Sequence, residues 1–279
     1  MIATDDQSAM RAMADDGVHP VEGSPFIVLG SYMAAQLDKT NSRDDLYGFG
    51  SGRVFRLWNE FASSDDGLGA SLDDDLKTQV GEWHAAWQAT MTDDINAVAS
   101  ADAFDLAAHG PLLKETFAGQ TVYPDFTEIL TSSMEDALGR ADIGQASAIT
   151  DLAVELYPNS ARAHRDRGIV LLFTSGKNAA EEEIIRAHRL DPDAIAGAAG
   201  LNMYAYGMKN AGATKQGLHL LEIAVALHPD VANLYDSIGE FHLALGDREQ
   251  SKEYYRKALE IDPKFENARR MLERIESDS

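Results

Sequence analysis

Four prolines set the frame of the C-terminal half. Pro158, Pro192, Pro229 and Pro263 are spaced by 34, 37 and 34 residues. Proline lacks the amide proton a helix needs and its ring clashes with the preceding turn, so each one marks the end of a helix. Aligned on these prolines, a small residue recurs at Ala153, Ala187, Ala224 and Ala258. A turn glycine recurs at Gly176, Gly212 and Gly246, and the first unit carries Ala141 at that position. The three surplus residues fall between the second and third units, near Ala194 to Gly200. The best-specified unit is Asn233 to Pro263, where two helical runs flank Gly246. Tyr235, Ile238, Gly239 and His242 recur at helical spacing in the first run, and Ser251, Tyr255, Ala258 and Leu259 in the second. Gly239 and Ala258 are the small positions that let the two helices cross closely. Helices this short cannot bury their apolar stripes as a lone pair, so neighbouring pairs must stack on them.

This period, with its glycine turns and closing prolines, resembles the tetratricopeptide (TPR) repeat. The resemblance implies an all-α, TPR-type α-solenoid over residues 127–279, of about four helix pairs plus a capping helix, preceded by a smaller helical domain at 24–126. Phe265 to Ile275 reads as the cap, with Lys264, Glu266, Arg269, Arg270 and Arg274 on a charged outer face. The resemblance also implies a protein- or peptide-binding module, whose concave face is lined by the first helix of each unit. Repeat position places Arg162 and Arg165 of the second unit on that face. Asn202, Tyr206, Lys209 and Asn210 join them from the third unit, and Asn233, Asp236 and Glu240 from the fourth. Guanidinium and ammonium groups hold carboxylates and amides hold peptide backbone, so an acidic partner segment is the expected ligand. The competing reading of the same residues is a solvated polar face with no particular ligand.

The N-terminal half carries no repeat. Residues 1–23 are polar and acidic and read as a poorly ordered lead-in. Ser24 and Pro25 open a helix with Phe26, Leu29, Tyr32, Met33 and Leu37 on one stripe, and a longer helix is predicted from Leu72 to Met91. Thr92 and Asp93 start another, through Ile95, Val98 and Phe104 to Ala108, which Gly110–Pro111 should break. No segment alternates with period two, so strands are not expected. The run from Ser24 to Phe61 resembles the stretch after the metal site in uncharacterised zinc-dependent peptidase-like proteins, at Phe26, Gly30, Met33, Ala34, Leu46, Phe55 and Asn59. That resemblance implies a C-terminal part, or a metal-less relative, of such a hydrolase, since no HExxH is present.

No catalytic residue, metal ligand set or cofactor is expected in this chain. It has no cysteine, which removes thiolate zinc sites and cysteine nucleophiles. No GxSxG elbow follows a strand, and Gly48, Gly50 and Gly52 lack the GKS or GKT of a phosphate loop. Glu181, Glu182 and Glu183 read as an exposed helix start. A net charge of −22 repels phosphate backbones and anionic lipid, which argues against nucleic acid and membrane surfaces as partners. Neither a signal peptide nor a membrane-spanning run is legible, so membrane insertion is not expected and the default compartment is the cytoplasm.

Overall fold

The computed structural model describes Thr78, Glu82, Ala85 and residues 89–99, 104–120, 123–192 and 197–277. Among these residues every regular element is a helix. The run at 24–61 and most of the helix expected at 72–91 lie outside them. The chain divides into two compact units, Met1–Phe126 and Thr127–Ser279.

In the first unit, the Thr92 hydroxyl accepts from the Ile95 amide at 3.3 Å and opens α1, Asp93–Ala99, which buries Ile95 and Val98. The sequence reading ran this helix on to Ala108 and ended it at Gly110–Pro111. Instead, Asp105 starts a new helix, α2, Leu106–Phe117, with Pro111 inside it. The Asp105 carboxylate accepts from the Ala107 and Ala108 amides at 2.9 and 3.3 Å, satisfying two orphan donors of the first turn. Pro111 is exposed while Gly110, Leu113 and Phe117 are buried, so packing on one face holds the helix through the missing bond on the other.

The second unit is a succession of antiparallel helix pairs. They are α3 (Thr127–Gly139) with α4 (Ile143–Leu156), α5 (Ala161–Thr174) with α6 (Lys177–Leu190), α7 (Ala198–Asn210) with α8 (Thr214–Leu227), and α9 (Ala232–Ala244) with α10 (Arg248–Ile261). A last helix, α11 (Glu266–Ser277), packs on α10. The sequence devices recur as physical ones. Each second helix ends two residues before its proline, and the capping amides of the residues between, Tyr157, Asp191, His228 and Asp262, donate to the carbonyls of Ala153, Ala187, Ala224 and Ala258. Those four alanines are at most 3% exposed. Gly239 fits against the Tyr255 ring, where an added Cβ would lie 2.9 Å from Cε1.

The turn between paired helices needs a left-handed residue. Gly176, Gly212 and Gly246 supply it at φ 87°, 83° and 86°, and Ala141 takes the same place at φ 57°. An L side chain is strained there, by roughly 1–2 kcal/mol in the left-handed region. Ala141→Gly is therefore expected to stabilise the chain by about 1 kcal/mol, because relief of strain outweighs the extra freedom of an unfolded glycine. Urea unfolding of the two full-length chains would measure it, and a loss of stability would contradict the turn geometry.

The stack is not regular throughout. α5 packs on α4, α9 on α8 and α11 on α10, each first helix against the preceding second helix. Between the second and third pairs it is α8 that packs on α5 and α6. Leu190, at the end of α6, is 41% exposed. The three surplus residues of the 37-residue spacing fall at this junction. A continuous core from α5 to α9 includes Ile169, Ile184, Leu201, Ala205, Leu221, Ile238 and Phe241. A smaller one joins Tyr255 and Ala258 to Ala268 and Ile275.

Candidate functional site

The first helices carry two polar clusters. The first lies where α3, α5 and α7 approach one another. α5 is enclosed by α3, α4, α6 and α8, and nine of its fourteen residues are buried, Arg165 and Asp166 among them. Charges this deep need partners. Arg165 Nε donates to Asp166 Oδ1 at 2.7 Å, with Nη2 2.5 Å from the same oxygen. The Thr131 hydroxyl of α3 donates to Asp166 Oδ2. The Arg165 guanidinium sits 4.8 Å from the centroid of the Tyr204 ring, and the Tyr204 hydroxyl donates to Glu135 Oε1 at 2.8 Å. Burial pushes the Asp166 carboxyl above the usual range, against the opposing pull of Arg165 and Thr131.

The second cluster runs across α7, α9 and α11. The Tyr206 hydroxyl donates to Glu240 Oε2 at 2.7 Å, and Lys209 Nζ pairs with Glu240 Oε1. That ammonium also stands 5.3 Å from the Tyr206 ring centroid and 5.1 Å from that of Phe241. Burial raises the Tyr206 phenol to about 12, so it remains a donor. Burial also acts on Glu240, but the bonds from Lys209 and Tyr206 prevail and hold its carboxyl below the usual range. One turn earlier on α9, Asp236 accepts from Asn267 Nδ2 on α11 at 3.0 and 2.9 Å, and Arg270 Nη2 donates to Asn267 Oδ1 at 2.7 Å.

The sequence-predicted site residues therefore separate into two groups. Tyr206, Lys209, Asp236 and Glu240 come together on one strip, with Asn210 and Asn233 exposed on α7 and α9. Asn202 is half-buried on α7, and its Oδ1 is buried without a hydrogen-bond partner. Arg162 is half-buried near Asp166. Arg165 was expected on an open face and is instead 6% exposed, because α5 is covered on all sides and Asp166 neutralises it. Lys209 likewise has its own carboxylate. Asn267 and Arg270 were read as part of a capping helix with an outward charged face. Carrying the repeat register one unit past Pro263 puts them at the positions of Asn233 and Asp236, and that register was the signal for them. Glu183, read as an exposed helix start, meets the fully buried His164 at Nδ1 (2.5 Å), and His164 Nε2 donates to the Pro158 carbonyl at 2.8 Å.

Asp236 gives a pH prediction. Burial is the main influence and raises its carboxyl above the usual range, with Asn267 opposing. A carboxyl raised on folding binds its proton more tightly in the native state, so stability falls as pH rises through the folded value. Asp236→Asn removes that titration and keeps an acceptor for Asn267. The variant is expected to gain stability over the parent near pH 7 and to lose the advantage as the pH falls and Asp236 protonates. Thermal melts across pH 3–8 would show this, and a difference independent of pH would contradict it.

Stacked helix pairs with a polar strip along their first helices define a helical-repeat protein of the α-solenoid class. Within it, residues 232–265 match the family model of the tetratricopeptide repeat. No curated protein matches the chain. Among solved structures, a crystal structure of MamA is 21% identical, covering 57% of this chain and 90% of that one, with a TM-score of 0.31. PilF of Pseudomonas aeruginosa is 22% identical over 53% of this chain and 67% of that one, TM-score 0.32. The 41-to-end form of MamA from Desulfovibrio magneticus RS-1 is 19% identical over 56% and 85%, TM-score 0.31. No described helix is long and apolar enough to cross a membrane.

Proposed function

We propose that residues 127–279 form a protein-interaction module that receives an extended partner segment along α7, α9 and α11. The observation that supports this reading is the polar strip Tyr206–Lys209–Glu240 and Asp236–Asn267–Arg270, which crosses three helices with each member held in a hydrogen bond or ion pair. Preset side chains lose little freedom on binding, which is how a shallow groove retains affinity. The exposed Asn210 and Asn233 flank the strip, where amides pair with the backbone of a bound segment. An acidic partner would meet Arg270, since Arg165 is covered and Lys209 is already paired.

The test is partner recovery by full-length protein from its native cells. Asn210→Ala/Asn233→Ala and Arg270→Glu are expected to melt close to the parent and to recover much less of a partner that the parent retains. Undiminished recovery by both variants would overturn the proposal.

A further inference from the structure

One face of α7 lacks the neighbour that the same face has in other pairs. Carried through the repeat register, Gly200, Met203 and Gly207 of α7 correspond to Ala163, Asp166 and Val170 of α5 and to Leu234, Ser237 and Phe241 of α9. All six counterparts are buried. They look toward the preceding pair: Asp166 accepts from Thr131 of α3, and the Phe241 ring stands 5.3 Å from that of Tyr206 on α7. On α11, Ala268 and Ile275 take the outer two positions and are buried with Tyr255 and Ala258 of α10. On α7, by contrast, Met203 is 67% exposed, and open space stands where a Cβ on Gly207 would lie. The displaced junction is the cause, since α8 rather than α7 packs on α5 and α6. The face is left as open as that of α3, the unit's first helix, where Ser132 and Asp136 are exposed at the last two positions.

The surroundings define what fits there. α7 carries one charge, Lys209, and Glu240 already pairs with it, so the open face is uncharged. Tyr204 reaches α5 and α3 on one flank, and Tyr206 reaches α9 on the other. A second folded copy holds its own α7 between the same flanks, so two such faces do not meet closely, whereas a single helix reaches between them. Packed helices are also what cover these positions in α5, α9 and α11. An extended segment would need polar partners for its backbone, which Gly200, Met203 and Gly207 do not offer. The rim toward α3 is acidic: the Tyr204 hydroxyl bonds the exposed Glu135, and the exposed Asp136 follows it, in a chain of net charge −22.

We propose that this face of α7 receives one amphipathic helix of a partner protein, with its apolar stripe on Met203 and Gly207 and lysines or arginines along the edge toward Glu135 and Asp136. Met203 is the apolar anchor, and Gly207 lets the two helix axes approach closely. Apolar side chains one turn apart on the partner supply the burial, and the basic edge adds an attraction that salt weakens. The site does not rest on the α7–α9–α11 strip, which uses the side of α7 bearing Tyr206 and Lys209.

The test titrates the full chain into fluorescent peptides about 16 residues long, enough for a marginally stable helix. One peptide carries a leucine stripe with lysines elsewhere, a second has glutamates in place of the lysines, and a third is the lysine peptide with a central proline. Anisotropy is expected to show the lysine peptide binding best, with affinity falling as salt rises. Met203→Gln, at an exposed position, should weaken it roughly tenfold, the scale of burying one methionine side chain. Glu135→Gln with Asp136→Asn should weaken it at low salt. Leu245→Gln, at another exposed apolar residue, and Asn233→Ala with Arg270→Ala, on the strip, should leave it unchanged. No binding of the lysine peptide, binding that survives Met203→Gln, or an equal loss in either control variant would overturn the site. Equal binding of the proline peptide would mean an extended occupant, and a Met203-dependent dimer in sedimentation would mean a second copy. Either result would overturn it as well.

Discussion

Replacing Asp166 with alanine is expected to cost about 3–5 kcal/mol, because it strands the Arg165 guanidinium without its counter-charge. Arg165 is 6% exposed and Asp166 3%, so water cannot take over the role of the lost carboxylate. The Thr131 hydroxyl would lose its acceptor as well. The effect belongs to the broken pair, not to the pair as such. Replacing both residues with apolar side chains of similar volume, Arg165→Met with Asp166→Leu, should come within about 1 kcal/mol of the parent or exceed it. Denaturant unfolding of the two chains separates these cases. A cost near zero for Asp166→Ala would mean that the α3–α5–α7 contact is wet and that Arg165 is a surface residue after all.

Two glycines should respond to alanine with opposite signs. Both lie within helices, where alanine is favoured over glycine by about 1 kcal/mol. At Gly207 an added Cβ meets open space, so Gly207→Ala should stabilise by roughly that amount. At Gly217 the added Cβ would sit 2.7 Å from the Ala205 carbonyl oxygen and 2.7 Å from Phe241 Cε1. Neither neighbour can yield, since one is helix backbone and the other a ring with no exposed surface. Overpacking of this kind costs about 1–3 kcal/mol and outweighs the helical gain. Melting temperatures of the two single variants give the comparison, and a stabilising Gly217→Ala would contradict the close crossing of α7, α8 and α9.

The repeat frame was legible in the sequence because its markers are backbone devices. Prolines, turn glycines and the four alanines act through φ, missing amides and lack of volume, and these act locally whatever the neighbours are. Even the irregular Ala141 turn was visible as a departure from the glycine pattern. Gly110–Pro111 was misread because burial of Leu113 and Phe117 and the Asp105 cap outweigh one lost hydrogen bond. The candidate site was legible in part. Tyr206, Lys209 and Glu240 meet across α7 and α9, but which charges remain open depends on pairings that are adjacent in sequence for Arg165 with Asp166 and 31 positions apart for Lys209 with Glu240. Nothing local to Arg165 says that α5 is covered, since that follows from how α8 docks after the three-residue surplus.

The most direct measurement is site-specific photocrosslinking of the full chain in its native cells. A photoreactive residue at Asn210 or Asn233, on the exposed edge of the α7–α9 strip, is expected to capture a partner. The same residue at Glu260, exposed on the second helix α10, is expected to capture none. Capture from Glu260 but from neither Asn210 nor Asn233 would contradict the assignment of the first-helix face as the binding surface.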